Sequence, residues 1–213
     1  MKNRNAPENQ TTRRILLIAY TTALAVAFTV SWQQPAHADH VTPPPVPAEV
    51  QVLPGNKAFL VGHAVGTQNY VCLPSGTGLK FVLFTPEATL FKFEDNTKQL
   101  ITHYFSPNPF EKGTIRATWK HSRDTSTVWG QVEPGHSAVV TSDAIPWLLV
   151  TVVGAQDGPT DGDTLSRTTF IQRLNTSGGL APSTGCTSST DIGHQAFVPY
   201  TADYFFYKAA DDD

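Results

Sequence analysis

The chain has 213 residues, with 15 Lys and Arg against 18 Asp and Glu, and two cysteines. Its first 38 residues hold four of the bases and one of the acids, so the remainder carries 11 against 17, a net charge of −6. That balance argues against nucleic acid or an anionic membrane as partner, and the length suits one domain with a proper core.

The N-terminus reads as a removable export signal. Lys2, Arg4, Arg13 and Arg14 precede an apolar run from Ile15 to Val30, and Ala36-His37-Ala38 is a small-x-small cleavage pattern. The run falls short of the roughly 20 residues a bilayer span needs, so no membrane span is expected after cleavage. The expected location is the periplasm, the cell envelope or the medium. The paired Arg13-Arg14 leaves both the general secretory and the twin-arginine routes open. Residues 39–55, with five prolines between His40 and Pro54, read as a Pro-rich tether. An all-β domain is expected over 56–208, with an acidic tail at 209–213.

Eleven strand-like runs follow, rich in β-branched and aromatic residues and parted by Gly, Pro, Asn and Asp. They are Lys57–Val65, Gln68–Leu73, Leu79–Thr85, Ala88–Phe93, Gln99–Phe105, Thr114–Lys120, Thr127–Val132, Ala138–Thr141, Trp147–Val153, Thr168–Leu174 and Tyr200–Tyr207. No window sustains a capped helical period. The pattern predicts an antiparallel β-sandwich or β-barrel. In an exported chain, Cys72 and Cys186 read as one disulfide closing a long loop, the alternative being two free buried thiols.

Four stretches carry a family resemblance: Gly66-Thr67-Gln68-Asn69-Tyr70-Val71-Cys72, Ile145-Pro146-Trp147-Leu148-Leu149, Phe170 through Cys186, and Val198-Pro199-Tyr200-Thr201-Ala202-Asp203-Tyr204-Phe205-Phe206-Tyr207. In that order they resemble the exported bacterial and fungal proteins of domain of unknown function 3455. The resemblance implies one exported domain with its two motif cysteines paired, and implies no reaction. Some fungal relatives carry a dehydrogenase label. Here the nearest thing to a dinucleotide loop, Gly76-Thr77-Gly78, lacks the third glycine and the following helix. Lys120-His121-Ser122-Arg123-Asp124 departs from the family pattern, which has a tryptophan and a short Asp-Gly turn there.

Candidate chemistry is sparse. No HxH, HxxxH or HExxH spacing links the histidines, so no metal or cofactor is expected, and His103 is the best single ligand or acid/base candidate. The carboxylates of Asp157–Asp163 depart from calcium-loop spacing and read as a solvated turn. There is no G-x-S-x-G nucleophile motif. Trp119, Trp147 and Tyr70, with His103 and Arg173, form the candidate ligand-binding set, since Trp and Tyr join an apolar body to a polar tip. The same aromatics could equally fill a core. Asp203 is a candidate partner for Arg173, and Asn175-Thr176-Ser177 is an N-x-S/T sequon. The reading is a monomeric exported protein that binds a small molecule or envelope saccharide, or serves structurally. A cofactor-free hydrolase, or a metal-dependent enzyme assembled across strands, is the alternative.

Overall fold

A computed structural model describes residues 41–210. Eight antiparallel strands form a closed barrel in simple sequence order: β1 (Asn56–Ser75), β2 (Gly78–Phe91), β3 (Gln99–Asn108), β4 (Thr114–His121), β5 (Thr127–Ala138), β6 (Trp147–Gln156), β7 (Phe170–Gly178) and β8 (Gln195–Ala209). Closure removes both free edges of the sheet. The closing seam, β1 against β8, runs in register from Asn56↔Ala209 to Val71↔Gln195 with one irregularity. The sandwich alternative is thereby set aside.

The eleven expected runs become eight strands because two apparent breakers lie inside strands and one run forms no strand of its own. Gly66 continues β1 where a Cβ would sit 2.5 Å from Ala88 Cα, so the absent side chain permits close approach to β2. Pro86 continues β2 beyond Ala88, where pairing with β3 has ended and no N–H is needed on that side. The expected strand Ala138–Thr141 is corrected: Ala138 ends β5, and the residues after it leave the sheet.

Alternation sorts the side chains onto two faces. Inside, Leu90, Ile101, Val128, Ile171 and Phe206 are completely buried and plug one end, with Leu165 of the β6–β7 loop packed over them. Outside, Leu149, Leu174, Phe205 and Tyr207 form a second apolar cluster. The Pro-rich segment covers it: Val50 is fully buried there, and Val41, Val46 and Val52 pack beside it. Gln172 anchors this cover, its Nε2 donating to Val50 O at 2.6 Å while its Oε1 accepts from the Tyr207 hydroxyl. The segment expected as a Pro-rich tether is thus packed against the barrel over residues 41–54. Valines between the prolines supply apolar area that a polyproline-like segment can bury without backbone pairing.

Cys72, at the end of β1, is bonded to Cys186 in the β7–β8 connection, 114 positions away. Gly193 N–H donates to Cys72 O, and Cys72 N–H to His194 O, both at 2.9 Å. The Gly178-Gly179 turn has φ of +68° and +79°, a region that suits glycine. A Cβ on Gly179 would also lie 2.9 Å from Tyr200 Cβ. Gly76 lies in the β1–β2 turn and leads into a strand, not a helix. The expected export leader and the last three residues lie outside the described residues.

Candidate functional site

At the end opposite the apolar plug the interior is hollow. A cavity of about 300 Å³ runs from buried Trp119, His103 and Tyr204 to a rim of Leu83, Ile115 and Val132. Those three rim residues are exposed. Strand pairing explains the opening. β2 and β3 pair only over Ala88–Phe91, and β4 and β5 only from Ala117 to Lys120, so these neighbours part toward the rim. Gly130 keeps the interior open: a Cβ there would lie 2.4 Å from Val150 Cγ1 and 3.3 Å from Trp119 Cζ3.

Inward positions on four strands meet at the cavity floor. His103 (β3) stacks on Trp119 (β4), its register partner, with ring centroids 4.3 Å apart and planes at 12°. Tyr204 (β8) meets Trp119 edge-on at 5.9 Å and lies tilted against His103 at 5.2 Å. The Tyr204 hydroxyl is 3.2 Å from that of Tyr200. Arg173 (β7), opposite Tyr204 across the ladder, donates from Nε and Nη2 to Pro146 O at 3.2 and 2.8 Å.

His103 is neutral here. Burial pushes its pKa down to about 3, the bond to Thr118 O works the other way, and Arg173 lowers it further. Nδ1–H donates to Thr118 O at 2.9 Å, which leaves Nε2 as the ring's acceptor. Burial raises the Tyr70, Tyr200 and Tyr204 phenols, so they stay protonated at neutral pH, while the Arg173 charge pulls each one back. Arg173 thus projects positive potential into the barrel. No Asp or Glu lines the cavity.

Of the buried side-chain atoms without a hydrogen-bond partner, two belong to lining residues, Gln68 Nε2 and Trp119 Nε1. Both residues line the cavity and are at most 2 % exposed. The Gln68 amide lies close enough to Tyr200 to lower that phenol slightly, yet completes no hydrogen bond with it. Buried polar groups are normally paired, so orphans beside a cavity mark where a bound group would go.

Of the five sequence candidates, the cavity gathers Trp119, His103 and Arg173. Tyr70 is not among the lining residues: it pairs with Leu83 at the open end, and its hydroxyl donates to Gly179 O at 2.6 Å. Trp147 lies elsewhere, packed with the outer cluster beneath the Pro-rich segment. The expected Arg173–Asp203 pair does not form. The register sets Asp203 opposite Leu174 and His63, on the outer face, one position out of step with Arg173. Asp203 accepts from Asn175 Nδ2 and contacts His63 Nδ1, each at 2.7 Å. Gln68 was missed as a site residue, since nothing in the sequence marks which glutamine faces inward.

The divergent loop is structural. Burial alone would raise the Asp124 carboxyl, but bonds from Thr164 and Ser126 outweigh it and hold the pKa well below the usual carboxylate range. Asp124 thereby ties the β4–β5 turn to the Asp157–Asp163 loop, where Gly158 and Gly162 give it room. Among the described residues, no three His, Cys, Asp or Glu side chains converge as a metal site would require.

The molecule is an eight-stranded up-and-down β-barrel, closed in sequence order, stapled by one disulfide and hollow at one end. Residues 54–208 match the family model described as Protein of unknown function (DUF3455), and the chain belongs to that family. Neither the curated proteins nor the solved structures yield a match.

Proposed function

We propose that this is an exported binding protein for a small apolar molecule, held in the open end of the barrel. The half-hollow interior carries the reading. Small barrels either fill their interior with side chains or hold one small ligand, and this one does the first at one end and leaves room at the other. A cavity of about 300 Å³ lies at the lower edge of the range for small-ligand sites. An apolar rim above a few polar groups is the usual composition of such sites. The disulfide supports an oxidising compartment, and with it the exported location.

Within the binding class, a compact apolar molecule fits better than a saccharide. Trp119 is only 1 % exposed and one of its ring faces is taken by His103, so it offers little stacking platform. Hydrolysis is less well supported than binding. A general base works best with a pKa near the operating pH, whereas His103 is held near 3 and no carboxylate lines the cavity. The test is native mass spectrometry of the protein purified from its own host's envelope, before and after organic extraction. A small molecule in near-stoichiometric amount supports binding. A chain that arrives empty, and takes up no apolar probe into the cavity, refutes it.

A further inference from the structure

We infer that the ligand carries a carboxylate, which sits on the cavity floor among Arg173, Gln68 and Trp119 while its apolar body reaches toward Leu83, Ile115 and Val132. This rests on the binding reading above and adds the ligand's chemical class.

Three observations point to an oxyanion. Arg173 is inside the barrel yet has only the neutral Pro146 carbonyl and the tyrosine phenols around it, with no carboxylate partner among the described residues. The other cation on the lining, Arg116, is already satisfied by Glu111 in a two-pronged pair at 2.7 and 2.8 Å. Arg173 is half-buried, and a partly desolvated cation without a counter-charge is a favourable place for an anion to bind. Second, the two orphaned atoms on the lining are both N–H donors, from Gln68 and Trp119, and indole can only donate. Third, no lining residue is acidic, so nothing repels an anion. Guanidinium matches the planar carboxylate fork, and such bonds are roughly twice as strong as neutral ones. The exposed apolar rim suits a short alkyl or aryl body.

The experiment uses the envelope-purified protein with its disulfide intact, extracted free of small molecules and titrated with octanoate, octan-1-ol and octylammonium. Binding is read by calorimetry and by the Trp119 indole N–H resonance, assigned with Trp119→Phe. The Trp129 indole, already bonded to Ser106 Oγ, is the internal control. Octanoate should bind about tenfold or more tighter than octan-1-ol and move the Trp119 resonance downfield, and octylammonium should not bind. Arg173→Met should abolish the preference for octanoate. Should that variant misfold, Gln68→Leu reports the same preference with one donor removed. Equal or tighter binding of octan-1-ol or octylammonium overturns the carboxylate inference and leaves the binding cavity standing. No response of Trp119 to any of the three overturns both.

Discussion

Acid sensitivity traceable to His103 follows from its burial. In the folded chain the imidazole resists protonation down to about pH 3, whereas the unfolded chain protonates near the ordinary value of about 6.5. Between those limits the unfolded state binds more protons, so stability is intact above about pH 6.5, falls as pH drops, and loses nothing further from this group below about 3. At about 1.4 kcal/mol per pH unit, lowering the pH from 7.5 to 5 removes about 2 kcal/mol, and the whole window about 5 kcal/mol. The pH range from 7.5 to 5 also avoids most carboxylate titration. The assay is urea denaturation at both pH values for the native chain and for His103→Asn, whose amide can replace Nδ1–H toward Thr118 O. Comparing the two slopes cancels the other histidines. The native chain should lose about 2 kcal/mol more than the variant over this range. Equal losses would refute a neutral, buried His103, and with it the argument that His103 is a poor general base.

Breaking the disulfide as Cys72→Ala with Cys186→Ala should lower stability by about 5 kcal/mol on the chain-entropy account of a loop spanning 114 positions; urea unfolding of the double variant measures it. Gly130→Val should cost about 1–3 kcal/mol by overpacking against Val150 and Trp119, and should weaken uptake of any cavity ligand more than it weakens the fold, read by calorimetry beside thermal unfolding. Val50→Ala should cost about 2 kcal/mol and speed proteolysis between residues 41 and 54, seen by mass mapping of the first cuts. If the Pro-rich segment is only a passive tether, neither quantity will change.

Much of this architecture was legible in the sequence because its signals are local. Period-two runs marked the strands, and two cysteines in a chain expected to be exported marked the bridge. Gly and Pro clusters marked many of the breaks between strands, among them Gly178-Gly179 with its positive φ. Gly66 and Pro86 misled for the same reason: each carries a strong local tendency to interrupt, overridden by a close strand crossing in one case and a vacant ladder edge in the other. The cavity was only partly legible. His103, Trp119 and Arg173 stood out by residue type, but Trp147 looked equivalent to Trp119 and Gln68 looked like any other glutamine.

What separates those residues is the parity of strand register, and that is a tertiary quantity. A shift of one position exchanges the faces of a strand. Arg173 points inward because it pairs with Tyr204, and Asp203, one step away, points out toward His63 and Asn175. Composition and alternation by themselves determined an all-β chain with one staple. Only closure of β8 onto β1 decided that it is a barrel, that valines among prolines coat its outside, and that Arg173 and two unpaired donors line one cavity. Those outcomes depend on which distant residues become neighbours, and no short-range pattern along the chain encodes that.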